Sequence, residues 1–316
     1  MMTSVPHSGG SSEAPEIGRH ATAIMEQQST VTWGASAAAI RSHYDVSNDF
    51  YALWLDETRT YSCALWNGDE DLQTAQARKL DWHLEGVRAH NVARLLDIGC
   101  GWGSLLRRAL GKYGVHHAVG LSLSDAQSAW IRSTGLANAE VCVQSWADYS
   151  PIAPFDAVVS IGAFEHFARF GQSHSDKLAG YRSFFEACHR MLVPGGRMSL
   201  QTITYENADS AEFSRFFAER IFPESDLPHH AEIFQSAKGL FEVEMLRNDR
   251  EHYARTARCW LGNLRRARAE AVKIVGESKV AMYEKYLGLL VVGFHTARMN
   301  LARLVLRRMG PLTKAS

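Results

Sequence analysis

The feature that most constrains this chain is the run ARLLDIGCGWG at residues 93 to 103, where an apolar segment breaks into three glycines at alternate positions. A short apolar run ended by a glycine turn reads as a strand buried on both faces, and such strands belong to parallel sheets covered by helices. Gly99, Gly101 and Gly103 then fall at the carboxyl end of the strand, where a missing side chain lets a nucleotide-like ligand approach the backbone. The spacing is G-x-G-x-G, not the G-x-G-x-x-G of dinucleotide-binding folds, which argues against a nicotinamide dehydrogenase.

The flanking sequence alternates in the way a parallel sheet requires. Helical periodicity over 72–90 precedes the strand; helix, strand and helix signals follow at 105–113, 118–121, 125–133, 139–144 and 157–161. A helix ending at Arg190 leads into VPGGRMSLQTIT (193–204), a turn and a strand. This βαβ alternation predicts an α/β, Rossmann-like domain with a mainly parallel sheet. Beyond Glu206 the pattern turns helical and polar, with one strand signal at 240–245 and long helices expected from about Tyr253 to the end. On those helices RRAR (265–268) and Arg298, Arg303, Arg307 and Arg308 would form basic faces, either solvated or docking to an anionic lipid surface or an acidic carrier protein. Residues 1–35, rich in Ser, Gly, Ala and Thr, read as a disordered leader. The domain is expected over 36–316, with a core at about 72–204 and a helical lid and C-terminal region at about 205–310.

Composition removes several classes of function. Lys plus Arg and Asp plus Glu both number 34, so the whole chain lacks the basic excess of a nucleic-acid binder. Five scattered cysteines without a C-x-x-C pair fit neither a disulfide framework nor a zinc site, and point to a reducing cytoplasm. No signal peptide is evident, and the apolar run at 287–294 is about half of the roughly 20 residues a spanning helix needs.

Five separated segments, HYDVSNDFY (43–51), TYSCALW (60–66), DIGCGWG (97–103), SIGAFEHF (160–167) and HYARTARCW (252–260), occur in the order found in one family. On them the chain resembles the cyclopropane fatty acid synthases and mycolic acid methyltransferases, class I S-adenosylmethionine (SAM)-dependent enzymes. The resemblance spans about residues 40 to 308. It implies a C-methyltransferase acting on a carbon–carbon double bond of a hydrophobic acceptor. Tyr61 and Ser62 would then contact the methionine moiety of SAM above Gly99 and Gly101. Asp97 and Gly103 belong to the same loop, Ser122 and Gln127 would lie by the ribose, and Trp146 by the adenine. The family's base is a bicarbonate, and its matching positions are Glu165, Tyr253 and the backbone at Cys63 and Ile203. Tyr44 is counted with the catalytic residues.

One position departs from the family. The histidine of its L-H-T-I strand is Gln201 here, which can offer an anion a neutral hydrogen bond but cannot become cationic. The late cysteine of many members is also missing, with Leu289 and Leu290 in that stretch. An unsaturated acyl chain, a specialised metabolite such as an isoprenoid, indole or polyketide, and a catalytically silent SAM-binding protein all remain open.

Overall fold

The structure, a computed structural model, describes residues 1–2, 34–208, 221 and 224–310. Residues 3–33 of the expected leader, and 209–220, 222 and 223 of the expected lid and C-terminal region, therefore lie outside the described residues.

The arm begins with two short helices, α1 (Ala37–Tyr44) and α2 (Asn48–Ala52), each opened by a serine whose hydroxyl accepts from backbone N–H groups of the first turn. Helix α3 (Leu72–Gly86) is capped in the same way by Asp71. The apolar run then forms β1 (Arg94–Ile98), and Gly103 opens α4 (Ser104–Tyr113). Alternation continues through β2 (His117–Ser122), α5 (Asp125–Ser133), β3 (Ala139–Val143), β4 (Phe155–Ile161), α6 (His174–Met191) and β5 (Leu192–Tyr205). Next come α7 (His230–Ala237), β6 (Phe241–Asn248), α8 (Arg250–Arg266), α9 (Arg268–Val275), α10 (Glu277–His295) and β7 (Met299–Arg308).

The seven strands run in the order β3-β2-β1-β4-β5-β7-β6. The first five are parallel, while β7 is antiparallel to both β5 and β6. Strand order reverses between β1 and β4, so the crevice at their carboxyl ends is the topological switch point where ligands of open α/β sheets bind. One face of the sheet packs on α6 through Phe184 and Phe185, and the other packs Leu95 and Val159 under α3 and α4. A third, aromatic core joins α2 to α8 and α10 through Phe50, Trp54, Trp260 and Tyr283.

The C-terminal segment overturns the sequence expectation. The helices stop at His295, and Met299–Arg308 is a strand inserted between β5 and β6. Its first eight residues are all buried, so the two-residue alternation that marks a half-exposed strand is absent. Arg303, Arg307 and Arg308 are therefore strand residues and present no basic helix face. Arg307 pairs with Glu242 and Glu244 of β6. Arg265 and Arg266 do lie exposed, at the last turn of α8.

Candidate active site

At the glycine turn the backbone is held in conformations that only glycine adopts readily. Gly99 and Gly101 have φ of +83° and +53°, left-handed values that side chains rarely tolerate. A Cβ on Gly99 would stand 2.6 Å from that of Ala163, whereas a Cβ on Gly101 would meet nothing within 4 Å. Gly101 thus borders open space of the kind a bound cofactor occupies, and Gly99 is needed for packing. Behind the turn Asp97 is buried, and burial pushes its carboxyl up to about 7 against the attraction of Lys79. At the end of β2, Ser122 donates to Gln127 Oε1 at 3.0 Å. Trp146 is partly buried against Phe167 and Phe184.

A partly open, mainly apolar cavity lies in the same part of the molecule. Its walls include Tyr44, Tyr61, Ser62, Glu165, Gln201, Ile203 and Tyr253, so seven of the residues singled out in the sequence meet in one place. Cys63 lies behind the wall in the aromatic core, and burial pushes its thiol up to about 11, so the sulfur is no nucleophile. The glycine turn with Asp97, Ser122, Gln127 and Trp146 follows the strand ends outside the cavity wall.

Glu165 is 7 % exposed, and its Oε1 accepts from the Ile203 N–H at 2.7 Å. That amide, expected to face a bound anion, is therefore engaged by Glu165. Glu165 Oε2 is buried, with no hydrogen-bond partner among the described residues. Burial raises the carboxyl to about 7, opposed by the Ile203 N–H, so near neutrality the group is poised between acid and carboxylate. Tyr253 stacks on Phe294 at 4.4 Å, and no hydrogen bond holds its hydroxyl among the described residues. Burial keeps that phenol protonated, well above its ordinary range.

Several residues of the site were given no role from the sequence, although Gly162 and His166 lie within SIGAFEHF. Gly162 and Tyr286 line the cavity, and Tyr286 accepts from the Tyr61 hydroxyl at 3.2 Å. His166 bridges Tyr44 and Ser225 through its two ring nitrogens at 3.2 and 2.7 Å. Burial lowers its pKa to about 4, which leaves it neutral. Lys79, wholly buried, donates to Ser62 Oγ at 2.8 Å. Behind Gln201 stand Arg303 and His83, both wholly buried. An arginine inside the run LARLVL was the one visible hint of that arrangement, and it was masked by the helical reading of the segment.

The profile of the mycolic acid cyclopropane synthetase family matches residues 33–304. The chain belongs to this family. Cyclopropane mycolic acid synthase 3 of Mycobacterium tuberculosis is 35 % identical over 267 residues, covering 78 % of this chain and 89 % of that protein. The cyclopropane synthase MmaA2 of Mycobacterium tuberculosis superposes with a TM-score of 0.79 at 32 % identity, over 87 % of this chain and 99 % of that one. Mycolic acid cyclopropane synthase CmaA1, solved with S-adenosylhomocysteine (SAH) and CTAB, gives 0.78 at 32 % identity over the same shares. This family member is thus a SAM-dependent methyltransferase on the class I α/β fold, as the glycine turn and the five segments implied. Among the described residues no helix is long and apolar enough to cross a membrane.

Proposed function

We propose that the protein transfers the methyl group of SAM to a double-bond carbon of an unsaturated acyl chain, giving a cyclopropane or a methyl-branched product. The observation that carries this reading is that Tyr61 and Ser62, on the cofactor side, share one cavity with Glu165, Gln201 and Tyr253. Bound SAM would supply an electrophilic methyl; Gly101, Asp97, Ser122 and Gln127 fit it as an open backbone edge, an anionic partner for its ammonium group and a hydroxyl–amide pair for its ribose.

An alkene is a weak nucleophile, and forming its bond to a methyl leaves a cation on the neighbouring carbon. Tyr61, Tyr253 and Tyr286 present aromatic rings to the cavity, and each suitably placed ring face stabilises a cation by about 0.5–2 kcal/mol. His166 stays neutral and so adds no competing charge. The aromatic walls exclude water that would otherwise capture the cation. A bicarbonate held by Glu165, Gln201 and Tyr253 would supply the base for the proton that must leave. Neutral Glu165 can donate from Oε2 to such an anion while the Ile203 N–H holds Oε1. Phe170, 52 % exposed where it lines the cavity, gives an apolar entrance for a chain delivered from a membrane surface or an acyl carrier.

A second reading, methylation of a compact hydrophobic metabolite, is favoured by one feature. The hydroxyls of Tyr44, Tyr205, Tyr286 and Ser225 are bonded within the protein, whereas that of Tyr253 has no partner among the described residues and is a polar handle that an alkyl chain does not use. The test is incubation with methyl-labelled SAM and phospholipid vesicles bearing monounsaturated chains, followed by mass spectrometry of the acyl groups. A gain of one CH₂ supports the acyl reading. Unlabelled lipid together with a labelled small product from a cell extract replaces it with the second, and binding without any turnover replaces both with a silent cofactor-binding protein.

A further inference from the structure

Arg303 is 0 % exposed, yet it lies between the two halves of the site. In the β5–β7 register it stands directly opposite Gln201. Its Nε donates to Gln201 Oε1 at 2.8 Å, its Nη1 pairs with Asp249, and its Nη2 donates to the carbonyls of Cys63 and Ala64, both at 3.1 Å. One guanidinium therefore ties β5, the segment that follows Tyr61 and Ser62, and Asp249 at the head of α8, the helix that carries Tyr253.

Two consequences follow for Gln201. A guanidinium only donates, so the oxygen of the carboxamide must face Arg303, and His83 Nε2 lies 3.3 Å from that same oxygen. The amide NH₂ is then the end left for the cavity that Gln201 lines. A hydrogen bond from a cation to the amide oxygen also polarises the amide and strengthens its N–H as a donor. Asp249 does not cancel the charge, because Arg247 grips the same carboxylate at 2.8 and 2.9 Å. Two guanidiniums on one carboxylate leave a positive surplus behind the pocket.

We propose that Arg303 is a positioning residue of the anion pocket: it holds the Gln201 oxygen from behind and so turns a polarised NH₂ toward bound bicarbonate. The proposal rests on the bicarbonate reading above. In this chain a permanent cation, acting through an amide, does from the second layer what an imidazole on β5 would do by direct contact.

The test is binding of [¹³C]bicarbonate to the protein saturated with SAH, followed by carbon-13 line broadening, with SAH affinity measured in parallel by calorimetry. Arg303→Met should weaken bicarbonate about tenfold, in line with losing one charge-assisted hydrogen bond. Arg303→Lys, which keeps the charge but not the fork that reaches Gln201, Asp249 and the two carbonyls together, should fall between the native protein and Arg303→Met, and SAH affinity should be unchanged in both. Unaltered bicarbonate affinity in Arg303→Met, or a parallel loss of SAH affinity, overturns the proposal. If Arg303→Met does not melt cooperatively, Gln201→Leu replaces it, since that variant leaves the Arg303–Asp249 pair in place and removes the amide. It too must weaken bicarbonate about tenfold, and unaltered affinity there is equally decisive against the proposal. Native protein that binds no bicarbonate removes the anion reading and this proposal together, whereas native binding with indifferent variants removes the role of Arg303 alone.

Discussion

The two sides of the active site are built by different means. The proposed cofactor side centres on one contiguous turn, 97–103, where Gly99, Gly101 and Gly103 hold the backbone in left-handed conformations. The proposed acceptor side is assembled from α1, the start of the segment after β4, β5, α8 and α10, with Tyr61 and Ser62 at its border with the cofactor side, and its surface is buried side chains that depend on one another. A backbone surface tolerates change everywhere except at the glycines that make it. A side-chain surface can be rebuilt by paired substitutions, because what the pocket needs is a donor aimed at one point, whichever residues supply it. Gln201 backed by Arg303 is such an arrangement.

The variant expected to break the cofactor side most completely is Gly101→Val. A side chain there enters the open space beside the turn and strains a residue at φ +53°. SAM affinity should fall at least a hundredfold in calorimetry, with about 1–2 kcal/mol lost from folding stability for the left-handed residue. Unchanged affinity would sink the assignment of this turn to the cofactor.

On the acceptor side, Glu165→Ala, which removes the donor that Gln would keep, and Tyr253→Phe should each lower turnover about a hundredfold, the usual scale for groups that assist proton transfer. SAM affinity should shift less than about twofold, because neither side chain belongs to the glycine turn. If SAM binding and turnover fell together, the separation of the two sides would be lost.

A subtler contrast comes from pH, because burial sets both Asp97 and Glu165 near 7. Asp97 must be ionised to attract the ammonium of SAM, so cofactor affinity should rise as pH climbs through about 7. Glu165 must be protonated to donate to an anion, so turnover at saturating SAM should fall over the same interval. Asp97→Asn should flatten the first profile and Glu165→Gln the second. Two profiles of the same sign would show that one shared group, not two, controls both.

The smallest expected effect is that of Gln201→His. An imidazole at this position faces Arg303 and lies beside buried His83, so it stays neutral and replaces one neutral donor by another. Turnover at saturating bicarbonate should stay within about threefold of the native value. A tenfold gain would show that the pocket still demands a histidine on β5.

Much of the fold was legible because its signals are local. The run at 93–103 determined β1 and the turn after it, since burial on both faces and the glycine positions are properties of a few consecutive residues. The helix expected at 125–133 is α5, Asp125–Ser133, opened by Ser124, whose hydroxyl accepts from the Gln127 N–H. The same holds for the family, whose five segments are each readable on their own.

What only the tertiary structure decided is long-range. Residues 299–308 read as helix because an inserted strand buried on both faces has no alternation to reveal it, and because an arginine is rarely buried without partners. Its partners, Asp249, Gln201 and the carbonyls at 63 and 64, come from segments 54 to 240 residues away. The Ile203 N–H, assigned by resemblance to an anion, is held by Glu165, 38 residues away. Local sequence can say where a strand turns and where a glycine is needed. Which buried charges meet across a sheet is set by register between distant strands, and that information exists only once the chain has folded.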